Sequence, residues 1–344
     1  MTESLTPLDE RVDAPRELPG LEHPDVAVWR PATEEDLDAL VVAQKAIDAA
    51  DHPTHATTRE WIAEQLTSSA VDNAADTIVG FDGAGSVVAY GAVVLHPLHD
   101  TRVQVYLMGG VHPEHRGRGI GRLLFAWQHA RAQQQLAATS ATLPGWVMAY
   151  EDEGNADAVS VAKRTGLKVA RYFTTKVREV GDPIPELVPP EGVEIRAFGA
   201  DVSEETRSAR NDAFRDHWGS QPTATERWGH FTGAPNFRNE LSRVAVEVVT
   251  GRVVAFCLVT VNEADWAAQG FTSGYIELVG VVRDFRRQGL APATIAATLA
   301  ALRTVGYERA ILDVDSESPT GADTLYTNLG FRPDTREVAL VAAY

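Results

Sequence analysis

The chain has 344 residues, 44% of them hydrophobic and 23% charged, and carries a formal net charge of −17. That length exceeds one ordinary domain and predicts two, each able to bury a core. The acidity argues against a nucleic-acid partner, whose phosphates would be repelled, and is compatible with a cationic small substrate.

In chain order, residues 1–25 show little periodic apolar pattern and are expected to form a flexible N-terminal arm. They lack the apolar stretch of a signal peptide. No run reaches the roughly 18 apolar residues of a membrane helix, so the chain reads as cytoplasmic with no membrane contact. A strand at residues 26–33 then precedes an acid-capped helix at 34–48. Strand candidates TIVGF, SVVAYGAVVL and VQVYLMGGV occupy residues 77–111, rich in Val, Ile and Tyr. The loop VHPEHRGRGIGR at 111–122 opens a helix whose apolar stripe is Leu123, Leu124, Trp127 and Ala130.

The stretch GDPIPELVPPEG at 181–192 holds four prolines, which fit neither a helix interior nor a central strand. It is the expected linker between an N-terminal domain at 26–180 and a C-terminal domain at 193–344. After it the pattern returns. Strands VAVEVVT, RVVAFCLVTV and GYIELVGVV lead to a basic loop, FRRQGLAPAT from Phe285, and to a stripe of Ile295, Leu299 and Leu302. Arg30 and Arg196 are 166 positions apart, Arg116 and Arg286 are 170, and Gly166 and Gly330 are 164. Near-constant offsets make the chain a duplication. Its single cysteine, Cys257, sits in an apolar strand and reads as core. No metal site is expected; His52 and His55 lie in a polar loop with no acidic partner at fixed spacing.

The loop at 111–122 places Gly117, Gly119 and Gly121 where a strand gives way to a helix. Glycine lets a ligand approach the backbone, and the first N–H groups of a helix have no partner within it. Such amides at a positive helix end make an anion cradle, to which Arg116, Arg118 and Arg122 add charge. The alternative is a tight strand-to-helix turn. A dinucleotide fold would place the loop after the first strand, and the lysine of a P-loop is missing.

The pattern V-x-P-x-x-R-G-x-G-I-G resembles the coenzyme A loop of the GNAT N-acetyltransferases, whose core is Arg/Gln-x-x-Gly-x-Gly/Ala. Arg286, Arg287, Gln288, Gly289, Leu290 and Ala291 are similar to the same core, with Arg283 where proline is usual. Asn155-x-x-Ala158, and Ala322-x-x-Leu325-Tyr326 with Leu329-Gly330-Phe331, resemble the helix that follows in that family. The likeness runs from about residue 26 to the end and matches the tandem type found among actinobacterial acetyltransferases. It implies an α/β (α+β) fold of two tandem GNAT-like domains, each a mixed, mostly antiparallel sheet flanked by helices. It also implies acetyl-CoA as cosubstrate, held by Gly110, Val111, Arg116, Gly117, Arg118, Gly119, Ile120, Gly121, Arg122 and Asn155 in copy one, and by Val281 and Arg286 to Ala291 in copy two.

Acetyl transfer needs a base, a polarised carbonyl and a proton for the departing thiolate. In the resembled family the backbone at the end of the fourth strand polarises the carbonyl, here Val111 or Val281. A tyrosine supplies the proton; copy two has Tyr326, copy one Ala162. The base is often a glutamate on the fourth strand, with activation through a water chain as the alternative. Glu277 is the candidate, on one face with Tyr275 and Val279 by alternation and two residues from the mapped position; copy one offers Val105 and Leu107. Copy two is therefore the expected catalytic domain. Asp216 and Trp218, with Asp313 and Asp315, are candidate acceptor-binding residues. Ser318 and Pro319 stand where the family carries asparagine.

The expected activity is acetyl transfer to a primary amine of a small molecule through a ternary complex, by a monomer or homodimer. A non-catalytic acyl-CoA-binding protein and a protein-lysine acetyltransferase are the alternatives.

Overall fold

The computed structural model describes residues 5–68, 71–318 and 321–344; Pro319 lies outside them. The first copy runs α1 (Leu8–Arg11), β1 (Val28–Arg30), α2 (Leu37–Asp51), α3 (Arg59–Thr67), α4 (Asn73–Asp76), β2 (Thr77–Phe81), β3 (Val87–Leu95), β4 (Val103–Val111), α5 (Ile120–Ala137), β5 (Gly145–Asp152), α6 (Ala156–Arg164) and β6 (Lys168–Glu179). The second runs β7 (Val193–Ala197), α7 (Ser203–Ala213), α8 (Thr225–Gly233), β8 (Arg243–Glu247), β9 (Val253–Thr260), α9 (Glu263–Gln269), β10 (Ser273–Val281), α10 (Leu290–Val305), β11 (Arg309–Asp315), α11 (Ala322–Asn328) and β12 (Arg332–Ala343). The strand triplets expected at 77–111 and 244–282 form as β2–β4 and β8–β10.

The chain divides into two compact units, Met1–Tyr172 with Glu337–Tyr344, and Phe173–Arg336. The division falls away from the proline-rich stretch because the last strands are exchanged. Residues 173–179 of β6 pair antiparallel with β11 in the second unit, and residues 337–343 of β12 pair antiparallel with β5 in the first. The stretch at 181–192 therefore belongs to the second unit, its start held by hydrogen bonds from Arg178 to the Pro183 carbonyl (2.8 Å) and from Arg303 to the Val180 carbonyl (2.9 and 2.7 Å).

Each unit has the same strand order. In the first, β1 to β4 form an antiparallel meander, β5 joins β4 parallel, and β12 closes against β5. In the second, β7 to β10 form the meander, β11 joins β10 parallel, and β6 closes against β11. Helices α5 and α10 pack on their sheets; Ile295, Leu299 and Leu302 are buried, as are Leu124, Trp127 and Ala130, while Leu123 of the predicted stripe is only partly buried. Cys257 is buried in β9.

The N-terminal segment is not a free arm over its described part. Leu8 is 0% exposed and joins Val12, Leu136 and Val147 in the first unit's core, and the Leu8 N–H donates to the Ala141 carbonyl. Leu8 and Val12, with Ala14, Leu18 and Leu21 packed against the same core, follow no single helix or strand period, yet they dock the segment. Among the described residues no helix is long and apolar enough to cross a membrane.

Candidate active site

In the second unit β10 ends at Val281, a 3-10 turn spans Arg283–Phe285, and α10 begins at Leu290. The N–H groups of Phe285 and Arg286 bond back to Val282 and Arg283. Those of Arg287, Gln288, Gly289, Leu290 and Ala291 donate to no group of the described residues. They crowd the positive end of α10, where an anion is stabilised. The turn demands left-handed backbone at Arg287 (φ 62°) and Gly289 (φ 78°). Arginine tolerates that conformation at a cost of roughly 1–2 kcal/mol.

Arg286 has a structural task as well. It donates to the carbonyls of Val281 (3.4 Å) and Ala213 (3.0 Å), tying the end of β10 to α7. Asp216 belongs to this same corner. It pairs with Arg283 at 2.5 Å and stands 4.0 Å from Arg286, so it braces the loop and its charge is not left for an acceptor amine.

Beyond the loop the parallel strands part. Pairing of β10 with β11 stops at Tyr275 and Ile311, although β10 continues to Val281 and β11 to Asp315. The Val282 N–H donates to Val254 on β9 at 3.0 Å. Amides alternate in direction along a strand, so the Val281 N–H points the other way, into the gap. Glu277 sits where the β9–β10 register slips between Ile276 and Leu278, so it is the extra residue of a β-bulge. The bulge corrects the alternation read from sequence. Val279 packs in the cluster that holds Ile276, while Leu278 packs in the other, so Val279 does not share a face with Glu277.

Glu277 Oε2 accepts from Thr260 Oγ1 at 3.3 Å. Its carboxyl is exposed to the gap, yet the surrounding walls exclude enough water to push its pKa up; the Thr260 hydrogen bond opposes the rise and the Asp313 charge adds to it. Asp313 is held by Tyr275 Oη (2.7 Å) and Thr175 Oγ1 (2.6 Å), which leaves it exposed on β11. Asp315, by contrast, is buried and accepts from the Glu317 N–H at 2.9 Å, so it caps a turn and is withdrawn from any acceptor. The Trp218 ring lies 6.2 Å from that of Phe173, the residue of β6 opposite Asp315.

Tyr326 lies on α11, 8% exposed, edge-on to Phe331 at 5.9 Å. Burial first, and Cys257 second, push its phenol pKa up, so it holds its proton at neutral pH and is a donor. It shares a cluster with Ile276, whereas Glu277 bonds Thr260, so the base and acid candidates lie on opposite faces of the sheet.

The first unit repeats the backbone with other side chains. Pairing of β4 with β5 stops at Tyr106 and Met148, and the Val111 N–H points into the gap because the His112 N–H donates to Val88 at 2.8 Å. The amides of Gly117, Arg118, Gly119, Ile120 and Gly121 likewise have no acceptor among the described residues. Two of the three arginines, Arg116 and Arg118, are engaged. Arg116 forms a two-pronged pair with Asp51 (2.6 and 2.8 Å) and donates to the Val111 carbonyl, so it locks the loop to α2 and is no free phosphate ligand. Arg118 pairs with Asp25 at 3.1 Å, and its carbonyl lies 3.0 Å from His23 Nε2. Gly110 faces Ile47, and Arg122 reaches back beside Gly119. Asn155 caps α6, accepting from the Ala158 N–H at 3.3 Å; the side-chain oxygen expected on the cofactor is used on the helix. Ala162 is buried in the core. Glu151 on β5 is a carboxylate that sequence reasoning passed over. Burial pushes it up to about 8, with the Asp51 and Glu337 charges adding and Arg116 opposing. Among the described residues no group of three or more His, Cys, Asp or Glu could hold a metal ion.

A sequence profile described as the acetyltransferase (GNAT) family matches residues 203–331, all within the second unit. The chain is 31% identical over 255 residues to a mycothiol acetyltransferase of Salinispora tropica, covering 72% of this chain and 75% of the relative. Its fold matches a GCN5-related N-acetyltransferase from Sphaerobacter thermophilus with a TM-score of 0.70 at 24% identity, over 92% of this chain and 95% of that one. It also matches a tandem GNAT protein from the clavulanic acid biosynthesis pathway with a TM-score of 0.66 at 18% identity, over 92% and 98%.

Proposed function

The chain belongs to the GNAT acetyltransferases and is an acyltransferase, and we propose that it moves an acetyl group from acetyl-CoA to a primary amine of a small molecule, in a ternary complex, within the second unit. The observation that carries this reading is the company kept by one gap. The parted strands β10 and β11 have an amide cradle at one end, Glu277 on one face and Tyr326 on the other. The family profile falls on this unit. The name of the mycothiol acetyltransferase relative supports a small acceptor over a protein lysine.

A diphosphate suits the cradle because the amides from Arg287 to Ala291 offer donors that nothing else among the described residues uses. The gap beside Val281 admits an extended arm, and the Val281 N–H is directed to polarise a carbonyl lodged there. Glu277, its pKa raised, takes the proton that the attacking nitrogen must lose. As the carbon–nitrogen bond forms and the carbon–sulfur bond breaks, Tyr326 gives its proton to the sulfur and regains one from water. The sum is amide plus free thiol, with one proton released for each ammonium consumed. Asp313, exposed on the same face as Glu277, is placed to attract a cationic acceptor.

The reading is tested with acetyl-CoA and a panel of aliphatic monoamines, diamines, amino alcohols and amino sugars. Thiol release that depends on the amine, with the acetylated product identified by mass, is the expected result. Binding of acetyl-CoA without amine-dependent thiol release from any class would contradict it.

A further inference from the structure

Lys176 is among the largest fully buried side chains of the described residues, in the company of Phe256 and Phe331, and is 1% exposed. A buried ammonium is tolerated only when its partners are well placed, so those partners indicate its task. Nζ donates to the Asp323 carbonyl (3.2 Å) and to Thr327 Oγ1 (2.9 Å), and lies 2.8 Å from Asp323 Oδ1. All three acceptors are on α11, the helix of Tyr326. Two residues along β6, Arg178 Nε donates to the Leu329 carbonyl at 2.6 Å, where that helix ends. One strand thus grips α11 at its first turn, beside Tyr326 and at its close.

The first copy provides the control. Leu340 and Ala342 lie 164 positions after Lys176 and Arg178, the same spacing that separates Ala162 from Tyr326. Register agrees: Lys176 and Arg178 face Leu312 and Ala310 on β11, as Leu340 and Ala342 face Ala149 and Val147 on β5. Where the helix carries alanine, the strand packs against it with apolar groups. Where the helix carries tyrosine, the strand bonds to it. Apolar contacts let a helix slide by fractions of an ångström, while directional bonds from a buried cation do not, and proton transfer depends on that scale.

We propose that Lys176 is a positioning residue for the reaction of the second unit, fixing α11 so that the Tyr326 hydroxyl stands at the departing sulfur. This rests on the acid role given to Tyr326 above. The experiment compares four full-length chains: wild type, Lys176→Met, Tyr326→Phe and the double variant. The readout is thiol release from acetyl-CoA with the panel amine that turns over fastest. Lys176→Met is expected to lower kcat by about 10- to 100-fold, with KM for acetyl-CoA within about threefold. In the Tyr326→Phe background it should change kcat by less than about twofold, because nothing remains to be positioned. Should Lys176→Met fail to fold, Asp323→Ala and Thr327→Val remove its two side-chain acceptors singly from the exposed side of α11 and are read by the same comparison. Wild-type turnover in the Lys176 or acceptor variants, or an equal fractional loss with and without the Tyr326 hydroxyl, would overturn the clamp alone. Wild-type turnover of Tyr326→Phe would overturn the acid role and the clamp together.

Discussion

The two units share a strand order, a parted pair of parallel strands and a loop of unengaged amides, and they differ in a handful of side chains. In the first, Arg116 and Arg118 are neutralised by Asp51 and Asp25, the fourth strand has no extra residue, and the following helix carries Ala162. In the second, Arg287 forms no ion pair among the described residues, the fourth strand bulges at Glu277, and the helix carries Tyr326. Across the gap the first unit stacks Tyr106 on Tyr150 at 6.4 Å, where the second bonds Tyr275 to Asp313. On the proposed function, a single backbone plan serves as chemistry in one place and as scaffold in the other, and the inserted Glu277 is one of the differences between them. Loss of pairing at the parted strands is common to both and decides nothing about catalysis.

The largest effect that would sharpen this contrast comes from undoing the insertion. Deleting Glu277 should restore the unbulged register of β4, leave the fold intact by circular dichroism, and lower kcat by about 10²-fold or more. Glu277→Gln should do the same with no change of register. Because the carboxyl is raised, the wild-type kcat/KM should fall with decreasing pH at a point above the ~4.3 of an ordinary glutamate, as the base becomes protonated. That limb should vanish in Glu277→Gln.

Arg116→Ala is next in size. It leaves Asp51 half-buried and unpaired and should cost about 1–3 kcal/mol in urea unfolding. It should leave kcat unchanged, since the pair is structural. Arg286→Ala, its counterpart, should instead raise KM for acetyl-CoA.

Glu151 gives a subtler test. Its folded-state pKa of about 8 lies above the unfolded value of ~4.3. The folded chain therefore binds the extra proton between those limits. The stability this adds is full below about pH 4.3 and is lost as pH rises through 8. Glu151→Gln should flatten the dependence of Tm on pH over that window, read by differential scanning calorimetry. The smallest effect is expected from Arg287→Gly, which removes the left-handed strain and should stabilise by about 1 kcal/mol.

Much of the plan was legible in the chain. Offsets between repeated arginines and glycines locate the duplication, Val-rich runs locate the strands, and glycines at a strand-to-helix junction locate the two loops of unengaged amides. What escaped notice depends on partners distant in sequence. A bulge is invisible to alternation because Glu277 reads as an ordinary strand position until the pairing with β9 is known. The pairs of Arg116 with Asp51 and of Asp216 with Arg283 bridge 65 and 67 positions, and no local pattern announces them. The strand exchange moved the boundary for the same reason: β6 and β12 look like the ends of their own copies. Lys176 carries no local signal of its role, since its burial is decided by α11.

The account turns on the hydroxyl of Tyr326, and steady-state thiol release from acetyl-CoA by the Tyr326→Phe chain measures its worth most directly. The account predicts a fall in kcat of about 10²-fold or more with KM for acetyl-CoA little changed, and no rescue when Ala162→Tyr is added in the first unit. A Tyr326→Phe chain that turns over at the wild-type rate would contradict it.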